Sequence, residues 1–233
     1  MSLAYHRRAT DIPAGYDHEV TQPQSPAPPA QVERVALCDL LDRLGPDAPS
    51  GCHGWTTGDL AAHLVIRERR PDAAPGILIG ALSGLTDRIQ RSVRAATPYP
   101  RLVERIRSGP PRWQVYAGLD GLVNTVEYFV HHEDVRRAQP DWTPRDLPER
   151  VENLLWRRLS SAGFIMRKAP AEVTLVRPDG QTRRVSRKGK PVRVHGPVGE
   201  LVLWVYGRTG VAQVRFTGDS DAVTALSHAK WGV

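Results

Sequence analysis

The sequence predicts an all-helical N-terminal bundle joined to a small C-terminal α+β domain. Three observations carry this. Apolar residues recur at helical spacing from Gln31 to about Arg167, the period switches to strand-like alternation after Pro170, and proline or glycine falls between the periodic segments.

Residues 1–30 hold five of the 20 prolines and show no apolar period, so a disordered extension is expected there. Val32, Val35, Leu40, Leu41 and Leu44 then mark a first helix, closed by Gly45-Pro46. After a loop through Pro49–Trp55, Thr56 or Thr57 can cap a second helix carrying Leu60, Ala61, His63 and Leu64. Arg69-Arg70-Pro71 ends it, because the residue before proline disfavours helix. A third helix is predicted over Ile77–Ala95, with Leu78, Leu82, Leu85, Ile89 and Val93 on one face. Residues 96–119 are proline-broken and leave room for one short helix. Asp120–Arg137 reads as a fourth long helix and Pro148–Arg167 as a fifth, giving an up-and-down bundle of four main helices plus one. Beyond Pro170, Val173 and Leu175, then Val192 and Val194, then Val211, Val214 and Phe216 mark short strands. Pro178-Asp179-Gly180 is a turn between the first two strand regions, and helices near Val198–Tyr206 and Ala222–Ala229 complete the unit. The expected division is 1–30, 31–169 and 170–233.

No run of about 18 apolar residues is present, which excludes a helical membrane span, and the first 30 residues lack a signal-type apolar core. A cytoplasmic protein, monomer or homodimer, is expected. Cys38 and Cys52 are too few for a disulfide framework. The net charge of +7 is concentrated. Between Arg167 and Arg193 nine basic residues stand against Glu172 and Asp179, a surplus equal to that of the whole chain. Such a run can attract a polyanion, but few aromatics interleave it and no recognition-helix motif accompanies it, so nucleic acid is not the expected partner. A solvated strand face is the simpler reading.

The chemistry concentrates in three residues. Glu127 and His131 lie four apart on the fourth helix, an advance of about 400° that puts both side chains on nearly one face. His63 sits mid-helix among small apolar residues in Asp59-Leu-Ala-Ala-His63-Leu-Val. Two imidazoles and a carboxylate around a free coordination position suit a catalytic divalent metal, zinc before calcium. The competing explanation is a core histidine with a satisfied hydrogen bond beside a chance Glu-x-x-x-His pair. His132, Glu133 and Asp134 each fall about 100° further round, so they are not all expected to face inward, and His132 replaces His131 if the helix phase differs. Cys52 and His53, on the loop before the second helix, offer a further thiolate or imidazole. His6, His18, His195 and His228 have no clustered partners and read as surface residues.

The segment Cys52-His-Gly-Trp-Thr-Thr-Gly-Asp-Leu-Ala-Ala-His63-Leu resembles the loop-to-helix motif of the mycothiol-dependent maleylpyruvate isomerase-like proteins, a group of the DinB-like metal-binding four-helix bundles. Asn124-Thr-Val-Glu127-Tyr-Phe-Val-His131-His-Glu-Asp134-Val-Arg-Arg-Ala138 resembles their second motif. Ala36-Leu-Cys-Asp-Leu-Leu-Asp-Arg-Leu-Gly-Pro-Asp-Ala and Arg67-Glu-Arg-Arg-Pro-Asp-Ala-Ala-Pro-Gly76 are similar to segments of an actinobacterial metal-binding subgroup. Glu200-Leu-Val-Leu-Trp-Val-Tyr-Gly-Arg208 resembles a helix in the second, sterol-carrier-like domain of the isomerases. The resemblance spans about residues 31–233. It implies metal ligation by His63, Glu127 and His131, mycothiol as thiol cofactor, and Arg208 near the active site. His132-Glu133 stands where the isomerases often carry Gly-Trp, so maleylpyruvate itself is not implied as substrate.

These features predict a zinc-dependent isomerase or S-transferase in which a metal-bound thiolate attacks a small electrophile. Arg208 is expected to hold a substrate carboxylate through bidentate hydrogen bonds. Arg67, one turn after His63, is expected to orient an anionic group, with a surface ion pair to Glu68 as the alternative. A non-catalytic metal- or ligand-binding protein is the second reading.

Overall fold

The computed structural model describes residues 27–52, 54–69, 83–110, 120–229 and 231. The expectations for most of the N-terminal extension, for His6, His18 and His53, and for the Ile77–Leu82 stretch lie outside these residues. The elements are α1 (Pro29–Leu44), α2 (Thr57–Arg69), α3 (Ser83–Ala96), α4 (Tyr99–Arg107), α5 (Asp120–Arg137), α6 (Glu149–Arg158), β1 (Glu172–Val176), β2 (Thr182–Arg184), β3 (Pro191–His195), α7 (Val198–Val205), β4 (Arg215–Gly218) and α8 (Ser220–His228). Short 3-10 and α turns fill Leu159–Lys168, where the sequence suggested that the fifth helix continues.

Helix α1 opens at Pro29 rather than at Gln31, with proline in the first turn, where its missing N–H costs nothing. Entry to α2 is fixed reciprocally. The Thr56 N–H donates to Asp59 Oδ2 at 3.0 Å, and the Asp59 N–H donates to Thr56 Oγ1 at 3.3 Å.

The four strands form a mixed sheet in the order β2-β1-β3-β4, with β1 and β3 parallel and the outer pairs antiparallel. Pro178-Asp179-Gly180 makes the turn into β2, an extra strand that the alternation of valines did not reveal because Thr182-Arg183-Arg184 carries no apolar pattern. Gly180 takes a positive φ of 84°, and Asp179 Oδ1 accepts the Gln181 N–H at 3.0 Å. Val211 and Val214 precede β4 and do not belong to it. One face of the sheet, with Val173 opposite Val192 and Leu175 opposite Val194, is buried.

Among the described residues two hydrophobic cores result. Leu37 and Leu41 of α1, Leu60 and Leu64 of α2, Leu102 and Ile106 of α4, and Tyr128 and Val135 of α5 form one. The other joins Val126, Phe129 and Val130 of α5 and Leu155 and Trp156 of α6 to the sheet and α7. Helix α5 therefore has core on both sides. From Asn124 to Val135 only Glu127 is not fully buried. Contrary to the expectation from the helical step, His132, Glu133 and Asp134 are all interior, because a helix packed on opposite faces has no single inward direction. Their charges are met. His132 Nδ1 lies 2.8 Å from Glu33 Oε2, and Arg145 joins Glu33 to Glu133. Among the described residues, no helix is long and apolar enough to cross a membrane.

Candidate metal centre

Glu127, His131 and Asp134 follow one another on α5 at offsets of four and three, which places all three within a narrow stripe of the helix surface. Helix α2 lies alongside and carries His63 and Arg67, one turn apart. The stripe opens into a cavity of about 920 Å³ whose walls include Trp55, Val130, Tyr206 and Trp231. This opening is why Glu127 escapes full burial.

The geometry brings His63, Glu127 and His131 together. Their ligand atoms all lie within 4.8 Å of one another. His131 Nε2 is 3.2 Å, and His63 Nε2 3.9 Å, from Glu127 Oε1. The two imidazole rings meet edge-on at 5.6 Å between centroids, and the Trp55 ring lies 5.0 Å from that of His63. A zinc ion at about 2.0–2.2 Å from three such donors would separate them by roughly 3.3 Å. The Glu127–His131 pair already has about that spacing, and His63 Nε2 stands somewhat further out, at 3.9 Å from Glu127 Oε1. The donor set thus fits a borderline divalent ion with room for another ligand from the cavity.

Arg67 does not reach an exposed Glu68. Its Nε is 3.2 Å from Glu127 Oε1, and its Nη1 donates to Asn124 Oδ1 at 2.6 Å. Glu68 is buried against Arg34 and Tyr128 instead. Burial alone would raise the Glu127 carboxyl, but the hydrogen bond with His131, the nearby His63 imidazole and the charge of Arg67 hold it well below the usual carboxylate range. Burial pushes the His63 imidazole down, so that it is kept neutral. For His131, burial is outweighed by hydrogen bonds with Asp134, Cys52 and Glu127, which push it well up.

Arg208 enters from the other half of the molecule. Helix α7 ends in paired C-terminal bonds, from the Gly207 N–H to Trp204 O at 3.1 Å and from the Arg208 N–H to Leu203 O at 2.9 Å. Gly207 takes the left-handed φ of 85° that this turn requires, and the turn aims Arg208 into the cavity. There Arg208 Nε donates to Asp134 Oδ1 at 3.0 Å and Nη2 to Asp134 Oδ2 at 2.8 Å, while Nη1 donates to Tyr206 O at 2.7 Å.

Cys52 also reaches the centre, on the opposite side of the His131 ring. Its Sγ lies 3.8 Å from His131 Nδ1 and 3.3 Å from Asp134 Oδ2, forming a second group of metal-ligating type. Sequence reasoning gave Asp134 and Trp55 no role, although the seven-residue step from Glu127 to Asp134 returns to the same helix face within about 20°. His195 bonds Thr217 and His228 is exposed, both away from the cavity. Of the basic segment, Arg177 is buried beside Glu152 and Asp179, and Lys190 pairs with Asp219.

Comparison with solved structures finds the same fold. The chain aligns with the crystal structure of the mycothiol-dependent maleylpyruvate isomerase at a TM-score of 0.52, with 17% sequence identity, over 82% of this chain and 91% of that one. A mutant of that isomerase aligns over the same shares at a TM-score of 0.48 and 16% identity. No protein-family profile and no curated protein matches the sequence.

Proposed function

We propose that this protein is a divalent-metal enzyme, with zinc the preferred ion, that uses a small thiol to isomerise a small electrophile or to form a thioether with it. Mycothiol is the thiol suggested by the likeness to the isomerase. The observation that carries the reading is the convergence of His63, Glu127 and His131 at the wall of a cavity that Arg208 enters from the opposite half of the chain. In this reading residues 31–169 form a DinB-like bundle that supplies the ligands, and 170–233 a sterol-carrier-like domain that supplies the arginine.

A zinc ion so held would supply Lewis acidity that keeps a bound thiol deprotonated near neutral pH. The protein's own contributions follow from the contacts. His63 and His131 present imidazole nitrogens toward Glu127 Oε1, and Arg67 Nε approaches the same oxygen and fixes the carboxylate's orientation. Arg208 contributes positive charge toward a carboxylate or developing enolate of the electrophile. Its Nε and Nη2 are engaged by Asp134 and its Nη1 by Tyr206 O, so this is not the open two-pronged contact expected from the sequence. Trp55 and Val130 line the approach with apolar surface that limits water.

Metal content of purified wild type beside His63→Ala and His131→Ala tests the centre, with about one ion per chain expected in the first and loss in both variants. Full stoichiometric metal in both would remove the centre. Turnover of an electrophile panel with and without added thiol then separates an enzyme from a metal-binding protein, and thiol-dependent turnover is expected.

A further inference from the structure

We infer that Asp134 is a positioning residue that couples the metal centre to Arg208, so that the ion's affinity and the placement of the arginine are set together. This rests on the metal reading above.

Asp134 is 5% exposed and receives donors from three separate parts of the chain. Its Oδ2 lies 3.0 Å from His131 Nδ1, 2.8 Å from Arg208 Nη2 and 3.3 Å from Cys52 Sγ, and its Oδ1 takes Arg208 Nε at 3.0 Å. The contact to His131 is on the nitrogen opposite the one facing Glu127 and His63. An imidazole that offers its Nε2 lone pair to a metal must carry its proton on Nδ1, and an ionised carboxylate there fixes that tautomer, orients the ring and makes Nε2 more basic. Arg208 draws on the same carboxylate with two N–H groups. The more of the Asp134 charge Arg208 engages, the less is left to polarise His131. The arrangement differs from a simple strut between two halves, because a strut has no reason to end on the rear nitrogen of a ligating imidazole.

Co(II) alone is a suitable probe, since its visible bands report coordination geometry. Asp134→Asn should bind Co(II) about 10–100-fold more weakly, with altered visible bands, because the amide presents a donor toward His131 or Arg208. Arg208→Met in the otherwise native chain should tighten Co(II) binding by roughly fivefold or more. In the Asp134→Asn background the same Arg208→Met change should leave Co(II) affinity where it was. An equal effect of Arg208→Met in both backgrounds would mean direct charge repulsion and overturn the coupling. So would unchanged affinity and bands in Asp134→Asn. If Asp134→Asn does not fold, Asp134→Ser takes its place in the same comparison, and unaltered Co(II) affinity in Arg208→Met alone also overturns the coupling. Wild-type protein that takes up no Co(II) defeats the metal reading itself, whereas uptake that is indifferent to these substitutions defeats only the coupling.

Discussion

Arg137 of α5 and Glu200 of α7 form a two-pronged ion pair, with Nη2–Oε1 at 2.6 Å and Nη1–Oε2 at 3.0 Å. Both side chains are almost wholly buried. Arg137 also donates through Nε to Glu133 at 2.6 Å, while Glu200 Oε2 accepts the Gln213 N–H at 2.7 Å. Removing one partner strands buried polar groups on the other. Glu200→Ala is therefore expected to cost about 3–5 kcal/mol of unfolding free energy, measured by urea denaturation. A loss below about 1 kcal/mol would show that this seam does not depend on the pair.

Gly51 positions the loop that carries Cys52. Its φ is +73°, and a Cβ there would stand 2.5 Å from the carbonyl oxygen of Asp134. Alanine meets both a disfavoured backbone region and an atom that cannot yield without moving α5. Gly51→Ala should lower stability by about 1–3 kcal/mol and shift the Cys52 resonance in selectively labelled protein. Gly54→Ala is the control for backbone conformation, since φ is +75° there with nothing within 4 Å. Equal losses in the two variants would discount the contact with Asp134.

The two thiols should differ in reactivity. Cys38 is fully buried, and burial pushes its thiol up to about 12. At pH 8 it is a neutral thiol with no access to reagent, whereas Cys52 lines the cavity. Iodoacetamide applied to folded, metal-free protein should label Cys52 alone, as read by peptide mass spectrometry. Rapid labelling of Cys38 would contradict the packing of α1 against α4 and α5.

Glu33 provides an acid-sensitive contribution outside the metal centre. Burial opposes its ionisation, but hydrogen bonds and charge from His132 and Arg145 hold its pKa below the ordinary 4.5. A carboxyl lowered on folding stabilises the native state above the unfolded pKa and loses that contribution as pH falls through the folded one. Glu33→Gln should thus be less stable than wild type at pH 7, with the difference shrinking below about pH 4.5. Melting temperatures across the two pH ranges check this, and a gap that stays constant into acid would assign the loss to packing.

The sequence by itself determined the element types. Helical apolar spacing located α1, α2 and α5, and alternation located β1 and β3, because each rests on a local period that burial imposes on neighbouring residues. The helical step also placed Glu127 and His131 on one face, since four residues return nearly to the starting angle. It did not foresee β2, whose Thr182-Arg183-Arg184 pairs with β1 through backbone bonds that leave no mark on side-chain pattern. Nor did it show α5 enclosed on two sides, a property of the second core and not of the helix. Tertiary structure alone decided that His63 of α2 meets the α5 pair, that Arg67 turns to Glu127 and Asn124, and that Arg208 crosses the cavity to Asp134. Those contacts join residues 57 to 74 positions apart along the chain, so only the packing of separate elements could select them.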